Sequence, residues 1–78
     1  MEGLTVKAFG MIAEKLPEQE FEFPKKKDTE ELLNSLYNEY PDLKELDFSL
    51  AVNQQLIQQN TSLEGNEEIA LLPPFSGG

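Results

Sequence analysis

Only one stretch of this chain carries the apolar periodicity of a full helix, and it constrains everything around it. Leu32, Leu33, Leu36, Tyr37 and Tyr40 fall at i, i+1, i+4, i+5 and i+8, a single stripe along about three turns. Asp28 stands where an N-cap belongs, with Glu31 at capping-box spacing, and Pro41 ends the segment. A lone amphipathic helix must bury its stripe against something else. The remaining segments read as strands, so the expected architecture is a two-layer α+β domain with one main helix on a mixed sheet.

Leu4-Thr5-Val6-Lys7-Ala8-Phe9 alternates as a first strand, with Leu4, Val6 and Ala8 on one face. Met11, Ile12 and Leu16 suit a short helical turn closed by Pro17. Gln19 to Phe23 alternates charge with phenylalanine and stops at Pro24. These two strands are expected to form an opening hairpin-like pair, aligned with nothing but each other. Lys25-Lys26-Lys27 is a solvated basic loop. Phe48 to Val52 and Leu56-Ile57 flank Asn53-Gln54-Gln55, read as a hairpin turn. Glu64-Gly65-Asn66-Glu67 is a second turn, with glycine available for positive φ. Ile69-Ala70-Leu71-Leu72 is nearly all apolar, as suits the buried centre of a sheet.

Composition removes whole classes of chemistry. Seventy-eight residues make one domain, and without cysteine or histidine there is no thiolate nucleophile, no disulfide, no usual zinc site and no His-based triad. Three Asp and twelve Glu against six Lys give a formal charge of −9. That argues against nucleic acid and against an anionic membrane surface as partners. It fits either simple solubility or steering toward a basic face on another protein. No apolar run reaches signal-peptide or membrane-span length, so a cytoplasmic protein is expected.

The chain ends Pro73-Pro74-Phe75-Ser76-Gly77-Gly78. Glycine has the largest ordering entropy and no side chain to pack, so a terminal pair has no evident structural use. The prolines favour an extended path and cannot donate to a ladder. Six residues then reach on the order of 20 Å. The division is thus a folded domain over 1–72 and a flexible Gly-Gly tail over 73–78, which carries one reactive group, the α-carboxylate of Gly78.

Two segments narrow the field. Ala51-Val52-Asn53-Gln54 with Leu56, Leu63 and Gly65, and then Glu68 through Gly78, resemble the MoaD family, the small subunit of molybdopterin synthase. Phe9 to Glu14 also resembles that family's start of the first helix. Asn66 departs from the family's usual aspartate, and Ala13 stands where many members carry a basic residue. The resemblance implies the ubiquitin-like β-grasp fold and a sulfur carrier that is not an enzyme alone. Gly78 would be adenylated at the expense of ATP, converted to a thiocarboxylate by a persulfide donor, and would give sulfur to cyclic pyranopterin monophosphate to build the dithiolene. It implies a MoaE-like large subunit and a MoeB-like adenylyltransferase of the ubiquitin-activating type as partners, and a heterotetramer with two carriers. No bound cofactor or metal is implied. By the same resemblance Gly77 and Gly78 are the reactive end. Phe75, Pro73, Pro74, Ser76, Leu72, Phe9 and Leu56 meet the partner. Phe75→Ala is expected to leave the fold intact and weaken large-subunit binding.

Core packing is the competing role for Phe9, Leu56 and Leu72. Three other functions remain open. One is a carrier for thiamine, cysteine or transfer-RNA thiolation. Another is a ubiquitin-like modifier joined through Gly78 to a lysine, and the third is an acidic binding module with a passive tail.

Overall fold

The computed structural model describes residues 3–73 of the chain. Five strands form one mixed sheet: β1 (Gly3–Ala8), β2 (Glu20–Pro24), β3 (Ser49–Val52), β4 (Gln55–Ile57) and β5 (Glu68–Leu72). Their order across the sheet is β2-β1-β5-β3-β4, so β5 is central, as its apolar run required. The helices are a single turn, α1 (Met11–Glu14), and the main helix α2 (Thr29–Glu39). A 3₁₀ turn over Pro41–Glu45 follows α2.

The opening strands pair antiparallel as expected, Val6 opposite Phe21 and Leu4 opposite Phe23. They are not aligned only with each other, however. β1 also runs parallel to β5, with Val6 opposite Ile69 and Ala8 opposite Leu71. Parallel neighbours need a long crossover, and here everything from β2 to β4 supplies it. No local sequence signal announces such a pairing.

Register decides which residues share a face. Leu4, Val6, Ala8, Leu50, Ile69 and Leu71 are all buried, and with Phe23, Leu32, Leu36, Leu43, Leu63, Ile12 and Leu16 they form the core. Leu32 and Leu36 of α2 are fully buried. Removing either side chain to alanine should cost about 2–5 kcal/mol. That is a large share of what so small a domain has. Leu33, Tyr37 and Tyr40 pack partly buried at the margin, with Tyr40 edge-on to Phe21 at 5.8 Å between ring centroids. Ile12 and Leu16 join the core, whereas Met11 is 67% exposed and contributes nothing to it.

The expected turns form with small shifts. The β3–β4 hairpin uses two residues, Asn53 (φ 50°) and Gln54 (φ 69°), both in the left-handed region. Two positive φ values are what a type I′ turn needs, since its twist matches that of the strands. Gln55 is therefore the first residue of β4, opposite Val52, and not part of the turn. Gly65 (φ 110°) and Asn66 (φ 69°) make the turn before β5.

Asp28 caps α2 by accepting from the Glu31 N–H at 2.9 Å. The reciprocal bond of a capping box is displaced by one residue, because Glu31 Oε1 accepts from Lys27 N–H at 3.1 Å. A second cap arrives from afar. Asn60 Oδ1 accepts from Glu30 N–H at 2.8 Å and from the Thr29 hydroxyl at 3.1 Å, while its amide donates to Asp28 Oδ2 at 3.2 Å.

Candidate functional site

The sheet has two unlike faces. α2, α1 and the 3₁₀ turn all contribute to the core on one side. On the other side no described helix lies. Following register from edge to edge, Glu20, Lys7, Ala70, Ala51 and Leu56 stand in one row of that outer face. In the next row toward the exit of β5, Leu72 stands opposite Ser49. Phe9 follows Ala8 and falls by alternation on the outer side, its N–H bonded to the Leu71 carbonyl at 3.2 Å.

Three residues far apart in sequence are thus brought to one surface. Phe9 is 39% exposed and Leu56 51% exposed, so neither is a core residue. Leu72 is half-buried and Pro73 exposed. Small side chains floor the space among them. Ala70 is half-buried, and Ala51 is buried without joining the core cluster. Exposed Phe9 and Leu56 and half-buried Leu72 around two alanines make an apolar patch, a shallow dish in side-chain size, on this face. Met11, two residues past Phe9, extends the exposed apolar surface beside the exit of β5. Its position after a glycine at the head of a one-turn helix is the signal by which the sequence could have flagged it.

Pro74, Phe75, Ser76, Gly77 and Gly78 lie outside the described residues, so the reactive end and the Phe75 contact carry no geometry. The base of that segment is well defined. β5 ends at Leu72, and Pro73 follows against Gly10, whose φ is +61°. A β-carbon at Gly10 would lie 3.0 Å from Pro73 Cγ.

Electrostatics around the dish are mild. Lys7 Nζ lies 3.5 Å from Glu68 Oε1, both about one-third exposed, and contributes little to stability. Among the described residues no cluster of acidic side chains is arranged to hold a metal ion. No helix among them is long and apolar enough to cross a membrane. The two perturbed carboxylates sit elsewhere. Asp28 is held below its ordinary value by the Glu31 N–H and then the Asn60 amide. At Glu67 burial opposes ionisation, yet N–H donors from Glu64 and Gly65, each at 2.7 Å, outweigh it and lower the pKa.

Comparison with known proteins agrees with this geometry. The ThiS family profile matches residues 6–78. The molybdopterin synthase sulfur carrier subunit of Caenorhabditis briggsae is 36% identical over 75 residues, spanning 91% of this chain and 87% of that protein. The solution structure of small archaeal modifier protein 1 from Methanosarcina acetivorans superposes with a TM-score of 0.83 at 26% identity, covering 100% of this chain and 98% of its own. The complex of subunits 1 and 2 of the molybdopterin-converting factor from Helicobacter pylori gives 0.72 at 35% identity, covering 97% and 99%. The chain belongs to the ThiS family, and its fold is the ubiquitin-like β-grasp. Within that family it falls with MoaD, as a homologue of the small subunit of molybdopterin synthase.

Proposed function

We propose that this protein is a sulfur carrier that works on the C-terminal carboxylate of Gly78. The observation that carries the reading is the convergence of Phe9, Leu56 and Leu72 on the helix-free face, beside the strand from which the Gly-Gly end departs. A docking surface and a terminal reactive group on one element suit a subunit that is held by a partner while its end enters that partner's active site.

The chemistry follows from the weakness of a carboxylate as an electrophile. Its charge repels nucleophiles, and oxide is a poor leaving group. A MoeB-like adenylyltransferase joins Gly78 to AMP from ATP and releases pyrophosphate. A persulfide displaces AMP, and a thiol cleaves the acyl disulfide to leave the thiocarboxylate. The carrier then docks on a MoaE-like large subunit, with two carriers on a dimeric subunit. There it yields sulfur to cyclic pyranopterin monophosphate toward the dithiolene. General acid, general base and phosphate-binding cations come from the partner, whose active site receives the Gly78 end. Gly77 and Gly78 keep the end narrow, as no β-carbon widens it. Phe75, Pro74 and Ser76 follow Pro73 into the partner's groove. The setting is cytoplasmic.

Intact mass after incubation with ATP, the adenylyltransferase and a persulfide donor tests the proposal. The expected gain is the mass of one sulfur minus one oxygen, about 16 Da, abolished when the Gly78 carboxylate is amidated. No ATP-dependent change with any such enzyme would sink it. The likeness to small archaeal modifier protein 1 supports a second reading, in which Gly78 forms an isopeptide bond to a target lysine. Adenylation without sulfur gain, together with discrete higher-mass conjugates in cell lysate, would favour that reading.

A further inference from the structure

We infer that Gly10 is a positioning residue for the reaction at the C-terminus, acting through Pro73. This rests on the carrier reading above and adds to it a residue on the opposite side of the sequence.

The local geometry starts at the end of β1. Gly10 has φ 61° and ψ −138°, and Ile12 N–H donates to the Phe9 carbonyl at 3.2 Å. A closing i to i+3 bond with those angles at the first central position is type II′ geometry, near +60° and about −120°, which glycine alone adopts without strain. The turn reverses the chain from β1 into α1. In doing so it leaves open the space where a side chain would stand, and Pro73 occupies it. Its Cγ is 3.0 Å from the site of the missing β-carbon, closer than packed carbons sit.

Pro73 is the first residue past the central strand, and it is a rigid one. Its ring locks φ and cannot rotate aside as a long side chain can. The neighbouring bond from Phe9 N–H to the Leu71 carbonyl fixes the backbone two residues earlier. The direction in which the chain leaves the body is therefore set by a proline lodged against a bare glycine backbone. A β-carbon at position 10 would force Pro73 to give by a few tenths of an ångström, and so would shift the point from which the chain leaves β5. Leu56 and Ala51 lie on other strands and keep their place, whereas Phe9 and Leu72 adjoin the altered contact.

The test uses the full chain as substrate for ATP-dependent activation, with kcat and KM measured separately. Gly10→Ala is expected to lower kcat at least threefold with a smaller change in KM, since Leu56 and Ala51 still dock while presentation is altered. A purely structural role would instead thin the folded population and raise the apparent KM. Gly65→Ala is the control for backbone strain, at φ 110° in the remote turn before β5. It should lower Tm yet leave kcat unchanged. Pro73→Gly removes the seated ring without touching Gly10 and covers the case in which Gly10→Ala does not fold. It is expected to lower kcat at least threefold at unchanged Tm. Native kcat in folded Gly10→Ala, or in Pro73→Gly should Gly10→Ala not fold, overturns the inference; so does an equal kcat loss in Gly65→Ala. A native chain that is never activated overturns the carrier reading itself, a separate result.

Discussion

The two ends of the sheet are built on opposite plans. At the end where β1 and β5 begin, polar groups close on one another. Asn60 spans Asp28, Thr29 and Glu30, Thr61 exchanges bonds with Thr29, Leu63 N–H reaches the Lys27 carbonyl, and Asn66 N–H reaches the Gly3 carbonyl. At the end where those strands finish, Phe9, Met11 and Pro73 stand exposed beside half-buried Leu72, with few polar partners. The first end resembles the usual management of a helix terminus and its loops, in which every donor finds an acceptor. The second leaves apolar area in water that a solitary domain would gain by covering. One end satisfies its polar groups, and the other leaves apolar area exposed.

That contrast can be broken experimentally. The largest effect is expected from deleting Gly77 and Gly78, which should reduce ATP-dependent sulfur loading to background while Tm moves by less than about 1 °C. A large loss of Tm would mean the terminus serves the fold. Next comes Leu56→Glu on the outer face. A charge within an apolar docking surface should weaken large-subunit binding by about thirtyfold or more, roughly 2 kcal/mol or more. Titration calorimetry checks it, and unchanged affinity would remove the dish from the interface.

At the other end Asn60→Ala should do the reverse. Losing the tertiary cap is expected to cost about 1 kcal/mol, a Tm drop of roughly 4–8 °C for a domain of this size, with loading kinetics intact. The smallest effect concerns acid. Asp28 and Glu67 both have folded pKa values below their ordinary 3.8 and 4.5. Their contribution is therefore complete above those values, and it is lost as pH falls through the depressed folded ones. Denaturation midpoints followed downward from about pH 5 should decline, and Glu67→Gln should flatten the decline. A midpoint rising toward acid would contradict the assigned hydrogen bonds.

Much of the fold was legible because its signals are local. The α2 stripe, the Asp28 cap, the alternation of β1 and the apolar run of β5 each follow from short-range periodicity and capping chemistry. So did the two turns, although Gln55 was misplaced by one residue since a two-residue turn and a three-residue turn look alike around Asn53. The docking residues were named from family resemblance, and their exposure was undecided between core and surface. Asn60 and Met11 were missed. Nothing near Asn60 in sequence says that it will cap a helix some thirty residues earlier.

By itself the sequence determined the inventory: one full helix, short alternating strands, an acidic composition without histidine or cysteine, and a C-terminal Gly-Gly. Local dihedral preferences and hydrophobic period are enough for that. Only the tertiary structure decided that β1 lies parallel to β5, and so that Phe9, Leu72, Ala51 and Leu56 share one face. It also decided that Gly10 leaves the space Pro73 fills. Alternation says which residues of a strand go together, but it is silent on which strands become neighbours. That choice belongs to the burial of the whole core, and with it goes the placement of the site.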